Sequence, residues 1–330
     1  MARRFVAELG ESENLDQVFL VSEKQLRPNR SGNLYLQVRL SDRTGSLTGM
    51  MWNAKNSVYG SFENGDFLRV LGTTQFYNGN LQIILNRVER VDPHSVEETD
   101  FVTLTEASVD RLAARLTDLL RDMASIPLRE LAECFLMDDE FMRKFTTAPA
   151  GVKNHHAYRG GLLEHVVSLM ELCKVVAPRY PEIDPDLLIM GAFLHDMGKI
   201  DELTYDRELG YSDEGQLIGH LVMAVSMLET MIRKAEQLSG EAFPIELALR
   251  LKHMIVSHHG EYEYGSPKLP MTPEAVALHF LDNLDAKLHC INRLIQEDVN
   301  SDSNWTPFQS ILGRKLFKGG CAPVGERTFA

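Results

Sequence analysis

The residues best suited to chemistry in this chain are an adjacent histidine and aspartate inside an apolar segment. His195 and Asp196 lie within Phe-Leu-His-Asp-Met-Gly-Lys-Ile, residues 193–200, which otherwise has the composition of a buried helix. Burying a lone carboxylate is costly unless a partner compensates its charge. A divalent cation is the partner that we expect, because further candidate ligands recur in other apolar helical segments. These are His165, His220, His258, His259 and Asp282.

This mixture of imidazoles and carboxylates suits Mn²⁺, Fe²⁺, Co²⁺, Ni²⁺ or Zn²⁺ and fits Ca²⁺ poorly. Adjacent residues point about 100° apart around a helix, so His195 and Asp196 can reach one ion only at a helix end or beside a crossing helix. Gly198 is typical of a helix that ends there. The other ligands must then come from other helices, and the pattern indicates a metal-dependent hydrolase.

Several of these ligands have a structural alternative. Asp285 lies one turn after Asp282 on the same helix face and could replace it as the ligand. His220 could be an ordinary core histidine, and only one of the adjacent His258 and His259 could bind. The ligand set is therefore open at these positions.

Three further residues are candidates for contact with a substrate phosphate. Lys199 follows the His-Asp pair and either reaches a phosphate or acts as a cation at a helix C-terminus. Arg159 lies in the turn before the His165 segment, where it binds phosphate or is merely solvated. His156 could line the same pocket or have a structural role. The sequence supports both interpretations in each case.

The N-terminal part of the chain has the pattern of a small β domain. Residues 34–40 alternate apolar and polar side chains, which is typical of a half-buried strand. Strands are also predicted at 18–21, 47–52, 67–77 and 81–91, with an Asn-Gly hairpin signal at 78–79. Five strands with a short connection at 53–60 predict a five-stranded β-barrel of the OB type over residues 1–92.

The barrel carries candidate contacts for single-stranded nucleic acid. Tyr35 and Arg39 lie on the outward side of their strand, where an aromatic ring can stack on a base and a guanidinium can contact a phosphate. Phe76 and Tyr77 flank the predicted hairpin. The alternative is a plain solvent-facing surface. Trp52, at the end of its strand, is expected to be packed.

Beyond a polar linker at residues 93–103, the periodicity becomes helical. The pattern predicts an all-α domain over residues 104–317 and a loose C-terminal tail at 318–330. Thr-Glu-Ala-Ser, residues 105–108, is the expected N-cap region of the first helix. Later helices are predicted near 127–145, 161–177, 185–198, 216–239, 244–258, 272–297 and 306–316.

The composition limits the location and partners of the protein. Its four cysteines are far apart without a CxxC spacing, which favours a reducing compartment. With no signal peptide and no apolar run long enough to span a membrane, a cytoplasmic location without membrane attachment is expected. Residues 20–91 contain nine Lys or Arg and five Asp or Glu, a local charge of +4 in a chain of net charge −13. This local charge favours a polyanionic ligand.

His165, His195-Asp196 and Asp282 resemble the H…HD…D signature of the all-α HD-domain phosphohydrolase superfamily. The resemblance implies that these residues hold a first metal ion. It also implies that Asp196 bridges to a second ion held by His220, His258 and His259, with Mn²⁺ the favoured metal. An OB-type barrel followed by this signature is similar to the YhaM-type 3′-5′ exoribonucleases, over roughly residues 15–317. That likeness implies hydrolysis of single-stranded RNA, with single-stranded DNA as an alternative. Asp196 and Lys199 are the residues that we expect to be catalytic.

Two other functions are compatible with the sequence. A phosphohydrolase of free or cyclic nucleotides would not need the barrel for catalysis. A non-catalytic nucleic-acid-binding protein with a relic site would show no metal-dependent turnover, but the complete ligand set argues against it. The sequence does not determine the oligomeric state.

Overall fold

The structure is a computed structural model, which describes residues 3–29, 31–77, 80–101, 104–152, 158–205, 209–296, 298, 303–310 and 312–319. Its internal contacts divide the chain into two units, Met1–Thr103 with His289–Ala330, and Leu104–Leu288. The predicted helical domain, 104–317, begins where the second unit begins but extends beyond its end. The predicted linker and domain limits therefore remain proposals. The predicted tail lies largely outside the described residues.

The first unit contains a closed five-stranded barrel. Its strands are β1 (Asn14–Pro28), β2 (Leu34–Asp42), β3 (Gly45–Trp52), β4 (Phe67–Tyr77) and β5 (Asn80–Val91). Their order is β1-β2-β3-β5-β4, and an antiparallel β1–β4 pairing closes the barrel. Strands β3 and β5 are parallel, and the short helix α1 (Asn56–Tyr59) lies between β3 and β4. This architecture confirms the predicted OB-type barrel.

Alternation along the strands creates the barrel's two faces. In β2, Leu36, Val38 and Leu40 are buried, whereas Arg39 between them is exposed. The buried residues pack with Phe19 and other apolar side chains in one core cluster. The predicted hairpin residues 78–79 lie outside the described part of the chain.

The second unit is mainly helical. Its elements are α2 (Glu106–Arg121), α3 (Ile126–Leu136), α4 (Asp139–Phe145), α5 (Gly161–Val176), α6 (Pro185–Leu194), α7 (Lys199–Glu202), β6 (Leu203–Thr204), β7 (Gly210–Tyr211), α8 (Asp213–Ile218), α9 (His220–Ser239), α10 (Ile245–Ser257) and α11 (Pro273–Gln296), whose end belongs to the first unit. Thr105, in the predicted N-cap region, is the N-cap of α2, and its side chain accepts a hydrogen bond from the backbone N–H of Ser108.

The most buried helix in this unit is α6. Every residue from Leu187 to Leu194 is buried, and the Asp184 side chain caps the helix by accepting two backbone N–H bonds. It packs against α5 and α10. Burial of each large apolar side chain contributes about 1.5–3 kcal/mol. Because α6 ends at Leu194, the His195-Asp196 pair follows directly after its last residue and is itself buried.

Several predicted elements differ from the observed ones. The helix predicted at 306–316 is wrong: the described residues there pair as isolated bridges, Trp305 with Phe317 and Gln309 with Arg314. The helix predicted at 216–239 is divided by Gly219, whose φ of 79° is left-handed. The short strands β6 and β7 were not predicted. No helix among the described residues is long and apolar enough to cross a membrane.

Candidate metal centre

The predicted metal ligands lie where five helices meet. His165 is in α5, His195 and Asp196 follow α6, His220 begins α9, His258 and His259 follow α10, and Asp282 is in α11. The alternative in which His220 is an isolated core histidine is not what the structure shows, because its ring lies beside those of His258 and His259. The structure therefore brings all seven predicted ligands into one cluster.

Two glycines permit the close approach of these segments. A Cβ on Gly198 would lie 2.2 Å from the carbonyl oxygen of His220, so the turn after Asp196 can contact the start of α9 only without a side chain. Gly260 has a φ of +79°, and a Cβ there would lie 2.0 Å from the ring of His279. The imidazole of His279 in turn donates an Nδ1–H bond to the carbonyl of His258, at 2.8 Å.

One group of ligand atoms consists of His165, His195 and Asp282. The Nε2 of His165 lies 3.4 Å from Nε2 of His195 and 3.2 Å from Oδ1 of Asp282. The distance from Nε2 of His195 to the same Asp282 oxygen is 3.9 Å. Asp285 is not part of this group, because it contacts the opposite nitrogen of His165, Nδ1, at 2.9 Å.

A second group consists of His220, His258 and His259, whose potential ligand atoms all lie within 4.8 Å of one another. Asp196 lies between the two groups. Its Oδ1 is 3.6 Å from Nε2 of His220 and 3.5 Å from Nε2 of His258, whereas its Oδ2 is 3.4 Å from Nε2 of His195. The two oxygens of this carboxylate therefore face different histidine groups.

This arrangement fits divalent ions. Two ligand atoms at about 2.0–2.2 Å from one ion are separated by about 3–3.5 Å at octahedral or tetrahedral angles. Most histidine–aspartate separations in the cluster are 3.2–3.6 Å, close to this range, and the separation between His195 and Asp282 is 3.9 Å. Within the part of the chain that the structure describes, the buried Oδ1 of Asp196 and Nε2 of His220 have no hydrogen-bond partner. Buried polar atoms rarely lack a partner. A cation between them would satisfy both.

The ionisation states of Asp196 and His258 also suit metal binding. Burial acts to raise the pKa of Asp196, but Lys199 and His195 hold it well below its ordinary value. Burial lowers the pKa of His258 to about 3 despite the opposing effect of Asp196, so its imidazole is neutral at pH 7. Because Nδ1–H of His258 donates to the carbonyl of Ile255 at 2.8 Å, its Nε2 presents a lone pair to the cluster.

Comparisons with known proteins match each of the two units to a protein family. Residues 162–287 match the HD domain family, and residues 20–91 match the family described as OB-fold nucleic acid binding domain. The chain is 33% identical to the 3′-5′ exoribonuclease YhaM of Bacillus subtilis over 285 residues, covering 86% of this chain and 88% of that protein. The chain belongs to the YhaM family. YhaM of Bacillus licheniformis is also 33% identical, over 88% of this chain and 89% of its own length.

The candidate phosphate contacts of this YhaM family member differ in their surroundings. Lys199 lies at the metal centre, with its Nζ 2.6 Å from Oδ2 of Asp196. Burial acts to lower the pKa of Lys199, but Asp196 raises it above the ordinary value, so the lysine is charged. Arg159 is exposed in the turn that precedes α5. His156 lies outside the described residues.

Two carboxylates near the centre of this family member were not recognised in their roles from the sequence. Asp285 accepts hydrogen bonds from Nδ1 of His165 and, at 3.1 Å, from the hydroxyl of Ser168. Glu202 accepts from the backbone N–H of His220 at 3.0 Å and from Nδ1 of His220 at 2.9 Å. The role of Glu202 could not be predicted from local periodicity, because its partner His220 is 18 residues away.

The barrel of this YhaM family member presents an aromatic pair on its outer face. Tyr35 and Trp52 are paired across β2 and β3, with ring centroids 5.5 Å apart. Trp52, expected to be packed, is 51% exposed. Tyr77 is 61% exposed, whereas Phe76 packs against the barrel core, so the structure does not place these two neighbours on one face. Arg39 is exposed on the same side of β2 as Tyr35, four residues further along the strand.

Proposed function

We propose that the protein is a metal-dependent 3′-5′ exoribonuclease that hydrolyses phosphodiester bonds of single-stranded RNA and releases 5′-mononucleotides. The observation that carries this proposal is the buried cluster in which Asp196 faces two groups of histidines. Membership of the YhaM family supports the substrate and the direction, because its named relatives are 3′-5′ exoribonucleases. Single-stranded DNA is a further candidate substrate, and the cytoplasm is the proposed location.

In this proposal, the first ion is held by His165, His195, Asp196 and Asp282, and the second by Asp196, His220, His258 and His259. Mn²⁺ is the favoured metal. The donor set is also compatible with Fe²⁺, Co²⁺, Ni²⁺ and Zn²⁺. When bound, such ions would lower the pKa of a water molecule and offset the negative charge of a phosphodiester. Asp196 is the residue common to both groups, so it has the largest role in the proposal.

The protein's own cations complete the site. The Lys199 ammonium, charged and next to Asp196, is placed to stabilise negative charge that grows on a non-bridging phosphate oxygen. Arg159 and His156 are proposed to bind an adjacent phosphate of the same strand. On the barrel, Tyr35, Arg39 and Tyr77 are proposed to hold upstream nucleotides by stacking and charge, with Trp52 beside Tyr35. Phe76 is not retained as a contact, because it packs against the core.

The test is incubation of the full-length protein with 5′-labelled single-stranded RNA, with Mn²⁺ or with a chelator. We expect a ladder of products shortened from the 3′ end and release of 5′-mononucleotides only with metal. If cyclic or free nucleotides are hydrolysed while the labelled RNA stays intact, the protein is a nucleotide phosphohydrolase instead. If bis-nitrophenyl phosphate and every nucleotide substrate are left intact with Mn²⁺, the proposal of an enzyme is wrong.

A further inference from the structure

The five histidines of the metal centre are held in two different ways. His195, His258 and His259 direct Nδ1 to a backbone carbonyl, those of Ala192, Ile255 and Tyr264, at 2.7, 2.8 and 3.0 Å. His165 and His220 instead direct Nδ1 to the carboxylates Asp285 and Glu202. Each group of ligands thus contains one histidine that is held by a carboxylate.

These two carboxylates act as hydrogen-bond acceptors. One oxygen of Glu202, Oε1, accepts the backbone N–H of His220 at 3.0 Å and lies 2.9 Å from Nδ1 of the same residue. An oxygen that accepts a backbone N–H acts as an acceptor toward the ring as well, and therefore Nδ1 of His220 carries the proton. The Nε2 of that ring then presents its lone pair to Asp196 and the second group.

Asp285 has the same relation to the first group. Its Oδ2 accepts from Nδ1 of His165 and its Oδ1 accepts from Ser168, which fixes the carboxylate itself. The other nitrogen of His165 is the one that lies 3.2 Å from Asp282. A carboxylate bonded to a metal-ligating histidine fixes the ring's orientation and tautomer and raises its basicity, and its removal weakens metal binding by about 10–100-fold.

Because the two carboxylates support histidines of different groups, we propose that Glu202 and Asp285 are positioning residues, each of which secures one of two separate ions. Loss of Glu202 should weaken the ion held by His220, His258 and His259. Loss of Asp285 should weaken the ion held by His165, His195 and Asp282. The inference rests on the proposed two-ion centre and adds that the ions can be removed independently.

The test is titration of the metal-free full-length protein with Mn²⁺, with the bound metal counted by elemental analysis after dialysis. We expect two ions in the wild-type protein. In Glu202→Ala and in Asp285→Ala we expect one ion at nearly the wild-type affinity and the other weakened by about 10–100-fold. The double variant should lose both. Adding His220→Ala to Glu202→Ala should weaken the same ion without affecting the other.

Glu202→Gln distinguishes a positioning role of Glu202 from general damage to the structure in Glu202→Ala. The glutamine oxygen can still accept both bonds from His220, so this variant should recover most of the affinity that the alanine variant loses. If Glu202→Ala does not fold, Glu202→Asp gives the same comparison, because the shorter side chain withdraws its oxygen from Nδ1. The visible spectrum of bound Co²⁺ should change for one ion only.

Glu274→Gln is the matched control. Glu274 is also buried and bonded, to the backbone N–H of Asp184 and to Arg250, but it lies outside the ligand cluster. This variant should bind both ions as the wild type does. The inference is overturned if folded Glu202→Ala keeps both ions at wild-type affinity or loses both equally. If the wild-type protein itself binds fewer than two ions, the two-ion centre of the proposed function fails as well.

Discussion

At the scale of single residues, Asp196 has the greatest influence on the centre, because its two oxygens face different histidine groups. Asp196→Asn keeps the shape of the side chain and removes its charge. We expect bound metal to be lost and hydrolysis of RNA to fall by more than about 100-fold, since even residues that only support ligands contribute about 10–100-fold. Elemental analysis and a turnover assay with labelled RNA measure the two effects.

Asp201→Asn is the control for this change. Asp201 lies five residues after Asp196 and is paired with Lys144 at 2.8 Å, outside the ligand cluster. Its variant should keep its metal and its activity. Oligonucleotide binding by Asp196→Asn, measured by fluorescence anisotropy, should be unchanged if the barrel holds the strand. Near-normal hydrolysis by Asp196→Asn would contradict the ligand assignment.

The residues of this cluster could be selected from the sequence because each is a polar residue within or at the end of an apolar helical segment; their role as metal ligands stays a prediction. The choice between Asp282 and Asp285 could not be made, since both lie on the same face of α11 and only the position of His165 distinguishes them. The role of Glu202 could not be predicted for a similar reason, because it depends on how β6, β7 and α8 bring the chain back to His220. Such contacts are set by tertiary packing, which local periodicity does not record.

At the scale of elements, the turn between α6 and α7 must pack directly on the start of α9. In Gly198→Ala the new Cβ would lie 2.2 Å from the His220 carbonyl oxygen and 3.0 Å from the backbone nitrogen of Ala224. Backbone atoms cannot move aside as flexible side chains do. We expect the free energy of unfolding to fall by about 1–3 kcal/mol, as for overpacked cores, and the ion near His220 to bind more weakly.

Thermal unfolding and Mn²⁺ titration together measure this effect. Gly240→Ala is a suitable comparison, because Gly240 has a left-handed φ of 75° but nothing lies within 4 Å of its Cβ position. That variant should lose some stability through backbone strain and keep metal affinity. Equal metal affinity in both alanine variants would show that the contact between the turn and α9 does not position His220.

Elements with a strong periodic pattern were predicted well, and those that depend on single turns were not. The strands β2 and β4 and the helices α10 and α11 follow apolar spacing over many residues. By contrast, Gly219 divides a continuous helical pattern into α8 and α9, and the bridges around Trp305 and Phe317 replace a predicted helix. In both places the local pattern is compatible with a helix, and a turn or a pairing between distant residues decides the structure.

At the scale of the whole molecule, the chain combines an acidic total charge with a barrel segment of local positive charge. The net charge of −13 alone argues against a polyanionic ligand, but screening confines charge effects to about 10 Å. Exposed aromatic rings add an attraction that salt does not screen. Binding of single-stranded nucleic acid by Tyr35, Trp52 and Arg39 should therefore have two separable components, stacking and charge.

The distinction between stacking and charge gives a prediction for the binding of single-stranded RNA. Trp52→Ala should weaken binding of a single strand by about 1–3 kcal/mol at any salt concentration, because it removes stacking. Arg39→Ala should weaken binding mainly at low salt and reduce the salt slope by about 0.7 for one phosphate contact. Anisotropy titrations at several salt concentrations measure both quantities, with Tyr180→Ala, an exposed tyrosine of the helical unit, as the control.

The same contacts should determine how many nucleotides are removed in one encounter. If the barrel retains upstream RNA while the 3′ end is cut, the run length on 5′-labelled RNA falls as salt rises, and it falls further in Trp52→Ala. Hydrolysis of bis-nitrophenyl phosphate, which is too small to reach several contacts at once, should be the same in wild type and in Trp52→Ala. An unchanged run length at two salt concentrations, together with a wild-type run length in Trp52→Ala, would mean that the barrel does not hold the strand during degradation.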